Sequence, residues 1–488
     1  MAAQSSFVGV LHRTSLPSSG VRAAAQLRRL PSLSSSSSVV SAQLPQVQHR
    51  HVSTHFPGGG RRSFPLDRTR AQQRWGTKRA RIEGGGAGAS VQAYSTGKGK
   101  GKEPLNEPPS FAFAFDIDGV LLHVSKPIPG ATETLRFLND NHIPFILLTN
   151  GGGKLEADRV KDLSQKLGVH LTTDNFVQSH TPFRELVDGK DGGLKDKTIL
   201  VTGSDYEKCR SIMESYGFKN VVTPADILWQ HREVFPFGLA SDYSDTTPSR
   251  PLPRPVHTST AAHSNDHALK IDAMFVLNDP RDWALDIQVF ADLLLSSQGY
   301  MGTYSSKNGN LTFPNHGYQQ DGQPTLYFSN SDLFWSATWH LPRFGQGAFQ
   351  AALAGVWDQL TNGTAPLKRH VIGKPFGETY RFAERVLAAH RSDSLILKGH
   401  SADVAGEPLR SVYMVGDNPE SDIAGANGYK SEVGTSWHSA LVKTGVWSAV
   451  RDGEKVLKGV KKPTVIVPDV KAAVMWALER EGWKKAKF

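Results

Sequence analysis

Charged and hydroxyl side chains stand just beyond apolar runs at four places in this 488-residue chain. Asp116 and Asp118 follow the run Phe111–Phe115. Thr149 and Asn150 follow "PFILL" and open a glycine turn, Gly151–Gly153. Lys374 lies between Gly373 and Pro375, and Asp417 and Asp422 follow "SVYMVG". A strand buried on both faces should not end in two carboxylates, because each unpaired charge is costly to desolvate. Carboxylates gathered at such a place can attack an electrophile, carry protons or share a hard cation. Taken singly, each stretch has a structural explanation: a capped turn at Thr149, a surface turn at Lys374, an Asx turn at Asp417. All four together, each at the terminus of a strand or helix, read as one site.

The elements that must position them alternate. "FAFAF" reads as a strand and "ATETLRFLNDN" as a helix. "PFILLTN" and "KLEADRVKDLSQKLG" repeat the unit, as do "KTILVTG" and "SDYEKCRSIMESYG". Near the C-terminus come "SVYMVG", a helix opened by "PESDIAGAN", "TVIVP" and "DVKAAVMWALERE". Short apolar strands between amphipathic helices predict an α/β fold with a doubly wound parallel sheet. Ligands bind such sheets beyond the carboxyl ends of the strands, where the four stretches fall.

The net charge of +10 is concentrated at the start. Up to Glu107 there are sixteen Lys/Arg and four Asp/Glu, leaving forty basic and forty-two acidic residues in the remainder. The near-neutral body speaks against a nucleic-acid partner. Residues 1–66 contain no acid, their basic residues are all arginine, and serine is abundant. That is the composition of a mitochondrial transit peptide, so residues 1–82 are expected to be a leader and 83–109 a Gly/Lys/Pro-rich linker, with the matrix as destination. The single cysteine, Cys209, excludes an intrachain disulfide and reads as a small core residue. No apolar run approaches the ~20 residues of a membrane helix, so no integral membrane segment is expected.

The four stretches resemble the four motifs of the haloacid dehalogenase superfamily, whose members are mostly Mg2+-dependent phosphatases. The order matches: Asp116-Ile117-Asp118-Gly119-Val120, Thr149, Lys374, then Gly416-Asp417 with Asp422. The long interval between Thr149 and Lys374 resembles class IIA members, which carry a large α/β cap there. "IPGA" (128–131) and "GKP" (373–375) also look like that class, and "SWHSALVKTGVW" (436–447) is similar to the branch named after the cat eye syndrome critical region hydrolase. The resemblance covers residues 110–480. It implies a core in two parts, 110–203 and 371–488, with an inserted α/β cap over 204–370.

The resemblance also implies roles. Asp116 would be the nucleophile and Asp118 the acid and base. Mg2+ would be held by Asp116, the Asp118 carbonyl and Asp417, with Asp422 holding a water of the metal or orienting Lys374. Thr149 and the amides of Asn150 and Gly151, at a helix N-terminus, would grip the phosphoryl oxygens, and Lys374 would offset negative charge. The expected partner is a small phosphorylated metabolite, and a homo-oligomer is compatible. Cap residues Asp332, Trp335, Trp339, His340, Arg343, Gln346 and Gly347 are placed to meet the substrate. The tryptophans read as core packing, and His340 and Arg343 as candidates for a polar substrate end. Residues 235–267 read as an irregular insertion with few apolar anchors. The alternative is a catalytically idle binding or scaffold protein in mitochondria; the retention of all four carboxylates speaks against it. A reporter carrying residues 1–66 should enter mitochondria and lose that segment, and one that stays in the cytosol would refute the leader.

Overall fold

The computed structural model describes residues 108–483, apart from 190–192, 238–247, 259–266, 336–338, 340, 342, 454 and 456. The expected leader lies outside the described residues. The strand Phe111–Phe115 runs inside a six-stranded parallel sheet. The strand order is Val465–Val467, Ser436–Val442, Ser411–Gly416, Phe111–Phe115, Phe145–Leu148, Phe176–Val177. Side chains of a strand alternate between faces, and here the alternation feeds two cores. Phe111, Phe113 and Phe115 pack with Leu135, Leu163 and Val474 from the helices Ala131–Asp140, Glu156–Leu167 and Val470–Arg480. Ala112 and Ala114 face Tyr380, Ala383 and Leu387 of the helix Gly377–Leu397. Both faces are therefore covered, as a parallel sheet requires.

A second parallel sheet is inserted between Phe176–Val177 and Ser411–Gly416, forming an α/β cap on the core. Its order is His370–Val371, Thr325–Phe328, Ala273–Val276, Thr198–Thr202, Asn220–Val222. Met274, Val276, Phe290 and Phe349 fill one of its faces, and Ile199, Val201, Phe218 and Phe275 the other. Here the expected boundaries shift. The expected core segment 110–203 includes Thr198–Thr202, yet Leu200 pairs with Met274 and Val222 in the cap. His370–Val371 likewise pairs with Thr325–Phe328, so the cap sheet spans 198 to 371. A βα repeat looks the same in either sheet; only its distant partner decides.

Within the expected insertion 235–267, residues 248–258 have neither helix nor strand, but they are well anchored, contrary to expectation. Arg250 pairs with Glu207 and Glu214, Val256 is buried, and the His257 N–H bonds to the Met301 carbonyl at 3.0 Å. Cys209 is buried as expected, and burial pushes its thiol up to about 12, an inert core residue. Among the described residues no helix is long and apolar enough to cross a membrane.

The cap core holds one acid whose partners are hydroxyls. Asp286 is fully buried and accepts from Thr202 Oγ1 at 2.7 Å and Tyr206 OH at 2.8 Å. Burial pushes its carboxyl up to about 7, against the pull of those two bonds. A raised folded pKa means the stabilisation is full below the ordinary carboxylate pKa and is lost as pH rises through 7. Asp286→Asn should therefore melt above the wild type at pH 8, by on the order of 2–4 kcal/mol. The difference should shrink as pH falls towards 4 in a series of thermal melts.

Candidate active site

The carboxyl ends of three adjacent core strands bring the motif residues together. The Asp116 N–H bonds to the Val415 carbonyl at 2.9 Å, continuing the ladder one residue beyond Phe115. Its carboxylate leaves the sheet edge next to those of Asp417 and Asp422, which follow Ser411–Gly416. Ligand oxygens from these three buried aspartates lie within 4.8 Å of one another. Lys374 comes from the segment returning from the cap. Its Nζ lies 2.5 Å from Asp116 Oδ1 and 2.7 Å from Asp422 Oδ1, with only 2% of the residue exposed. The contact to Asp422 is an ion pair by distance but outside hydrogen-bonding angles, so Oδ1 has no hydrogen-bond partner.

Three carboxylates around one ammonium leave a net negative charge shut away from water. Burial, together with Asp422 and Asp417, raises Asp116 well above the carboxylate range although Lys374 pulls it down. Burial and Asp422 raise Asp417 in the same way. Burial works against the Lys374 ammonium, but Asp116 and Asp422 hold it well above its usual range, so it stays charged. The excess negative charge and the hard oxygen donors of these carboxylates fit a divalent cation. The carbonyl of Asp118 accepts no hydrogen bond among the described residues, which makes it available as a further donor.

Backbone braces hold each charge. Asp422 Oδ2 accepts the N–H groups of Asp417 at 3.1 Å and Asn418 at 3.0 Å. It does so from a single π-helical turn, Pro419–Ile423, where a plain helix was expected. Asp417 Oδ2 accepts the Val446 N–H at 2.6 Å, and Thr444 Oγ1 donates to the Gly119 carbonyl at 2.5 Å. Gly119 has φ +85°, and a Cβ there would come 2.5 Å from Asp417 Oδ2 and 2.9 Å from Gly445 Cα. The loop from "SWHSALVKTGVW" thus wraps the Asp417 carboxylate, a function that its sequence pattern did not disclose.

The Gly151 amide sits differently from expectation, and the Asn150 side chain has a role that the sequence did not disclose. Asn150 Oδ1 accepts the Lys374 N–H at 2.7 Å, and its Nδ2 donates to the Lys374 carbonyl at 2.9 Å and to Asp332 Oδ2 at 3.0 Å. Its side chain therefore braces the lysine and meets the cap, leaving only its backbone amide for a ligand. The Gly151 N–H is bonded to Thr149 Oγ1 at 3.0 Å. These residues are not at a helix N-terminus, because the next helix begins at Glu156. Asp118 is open to solvent, yet it lies in a crowded cleft. Desolvation raises its carboxyl, opposed by Arg159, Lys374 and Lys166.

Of the cap residues, Asp332 reaches the site through Asn150, and burial pushes its carboxyl up to about 6. Gln346 is buried and bonded to Asn330 N and Ser329 Oγ. Arg343 lies opposite Trp335 on an exposed hairpin, Phe334–Trp335 with Arg343–Phe344. Trp335 and Trp339 are 48% and 56% exposed, which corrects the expectation of core packing. His340 lies outside the described residues.

Residues 113–219 match the haloacid dehalogenase-like hydrolase family and residues 371–473 a HAD-hydrolase-like family. Over 381 residues the chain is 39% identical to a mitochondrial hydrolase of Saccharomyces cerevisiae, covering 76% of this chain and 96% of that one. It is 37% identical over 369 residues to a fusion of CMP-forming cardiolipin synthase with a mitochondrial hydrolase in Schizosaccharomyces pombe, covering 75% of this chain and 53% of the fusion. A hypothetical protein of Pyrococcus horikoshii superposes with a TM-score of 0.47 at 19% identity, over 75% of this chain and 99% of that one. The chain belongs to the haloacid dehalogenase-like hydrolases.

The charge excess makes a direct prediction. Mg2+ should raise the melting temperature of the wild type, by the equivalent of ~2.7 kcal/mol at a hundredfold excess over its Kd. Asp417→Asn should weaken that response at least tenfold in Mg2+ concentration, whereas Asp118→Asn, which changes no carbonyl, should keep it.

Proposed function

We propose that the protein is a class IIA, magnesium-dependent phosphatase that hydrolyses a small phosphorylated metabolite through an aspartyl-phosphate on Asp116. The observation that carries this reading is the buried Lys374 bridging Asp116 and Asp422 beside a third carboxylate. Phosphoryl transfer asks a protein chiefly for positioning and charge neutralisation, and this pocket is built for both. The α/β cap between Thr149 and Lys374 supports the class. Its mitochondrial placement is supported by the names of the two fungal relatives and by the composition of residues 1–66.

Asp116, Asp417 and the Asp118 carbonyl would hold the magnesium ion, with Asp422 behind them. When bound, the ion neutralises the charge of the phosphoryl oxygens. Lys374 fixes the rotation of the Asp116 carboxylate through Oδ1. The carboxylate attacks phosphorus, and the bond to the leaving oxygen breaks as Asp118 gives that oxygen its proton. The raised Asp118 carboxyl suits the protonated start. Water then attacks the phosphorus of the acyl phosphate while Asp118 takes its proton, and the bond to Asp116 breaks to release phosphate. Thr149 Oγ1 accepts the Gly151 N–H, so its own proton is left to donate to a phosphoryl oxygen. Substrate choice falls to the cap, where Asp332 meets the core.

Acid quench during turnover of p-nitrophenyl phosphate tests the assignment. Asp116→Asn should trap no phosphoenzyme. Asp118→Asn should turn over ~10²–10⁴-fold more slowly yet accumulate aspartyl-phosphate, because p-nitrophenolate leaves without a proton. Label retained on Asp116→Asn, or full turnover in a chelator, would overturn the mechanism.

A further inference from the structure

The turn that follows Thr149 is held at three backbone atoms by the loop after Phe176–Val177. Gln178 Nε2 donates to the Lys154 carbonyl at 2.8 Å, Ser179 N–H to the Gly151 carbonyl at 3.4 Å, and His180 Nε2 lies 3.2 Å from the Gly153 amide. A backbone amide can only donate, so His180 Nε2 must be bare and the ring proton must sit on Nδ1. Nδ1 lies 2.8 Å from the Tyr216 hydroxyl, which in turn donates to Glu156 Oε1; Thr181 Oγ1 donates to the same oxygen at 2.9 Å. Every donor in this chain finds an acceptor in one direction only, from the ring through Tyr216 to Glu156.

The elements it joins are distant. Glu156 opens a core helix, whereas Tyr216 ends Tyr206–Tyr216, a helix of the cap. The whole group is closed to water: Ser179 and His180 are 0% exposed and Gln178 and Thr181 2%. Burial pushes the imidazole down to about 4, in keeping with a neutral ring, and burial and Glu156 push the Tyr216 phenol up, so it remains a donor. The turn itself leaves no slack. A Cβ on Gly152 would meet His180 Cδ2 at 2.8 Å, Ser179 Oγ at 2.9 Å and the cap's Leu277 carbonyl at 3.1 Å.

We propose that His180 is a positioning residue of the phosphate-binding turn, and that the cap fixes its tautomer through Tyr216, so that cap seating and phosphate grip are coupled. This rests on the phosphatase reading, in which Thr149 and the Asn150 amide face the phosphoryl group. Removing the Tyr216 hydroxyl frees Nδ1 from its acceptor. The ring can then carry its proton on Nε2, where it opposes the Gly153 N–H.

Tyr216→Phe, His180→Gln and His180→Leu in the full chain test the coupling. An amide places an acceptor and a donor about as far apart as the two imidazole nitrogens, so Gln can satisfy Gly153 and Tyr216 together. Hydrogen exchange of the segment 150–155 should quicken about tenfold in Tyr216→Phe and His180→Leu, the effect of one lost hydrogen bond, and stay near wild type in His180→Gln. The inhibition constant of inorganic phosphate and the KM for p-nitrophenyl phosphate should rise in the same two variants by a similar factor. The Mg2+-induced shift in melting temperature should not change. Unchanged exchange and unchanged phosphate inhibition in folded Tyr216→Phe and His180→Leu would overturn the proposal. Wild-type protein that neither turns over the ester nor binds phosphate would instead sink the phosphatase reading, while the exchange arm still decides the role of His180.

Discussion

A buried ammonium among three buried carboxylates is the constraint that the surrounding structure serves. Removing one partner from such a group leaves an uncompensated charge and costs several kcal/mol, so every member is fixed from a separate direction. Asp116 is fixed by the Val415 carbonyl, Asp422 by two amides, Asp417 by the Val446 amide and Lys374 by both polar atoms of the Asn150 side chain. Neighbouring parallel strands deliver the three motif carboxylates and Asn150 to one edge. Lys374 arrives from the cap side, so the charge balance is complete only when the chain has passed through the cap and returned.

The three carboxylates come from the core strands, and the cap meets the Lys374 brace through Asp332 and Asn330 at Asn150. Strand ends of the cap press on the glycine turn from the other side: a Cβ on Gly153 would collide with Asn278, just beyond Ala273–Val276. Gly152 and Gly153 are thus a packing requirement between the core turn and the cap as well as parts of a turn.

Much of this was legible in the sequence, for a definite reason. Asp116, Thr149, Lys374 and Asp417 each follow an apolar run or a glycine, and such signals are local. What was missed depends on approach across the chain. The brace that the Asn150 side chain gives Lys374 is one such contact, because nothing near it reveals a lysine backbone 224 residues away. The clamp of Thr444 and Val446 on Gly119 and Asp417 is equally remote. Thr198–Thr202 carries the same apolar signature as a core strand, so its membership of the cap sheet could be read only from its partners. Residue type alone suggests core packing for Trp335 and Trp339, and type gives no account of their exposure.

The placing of Phe111–Phe115 between Phe145–Leu148 and Ser411–Gly416 sets a delay in folding. One neighbour emerges soon after the strand itself; the other follows only after about three hundred residues. At the usual pace of synthesis that is an interval of ~15–60 s. Throughout it, one edge of the central strand, with its open amides and carbonyls, has no partner. Such an edge is a template for pairing with other chains, so the newborn protein needs protection for longer than one whose sheet is laid down in sequence order. The strand order that gathers the charges also leaves the central strand of the unfinished chain half paired for most of its synthesis.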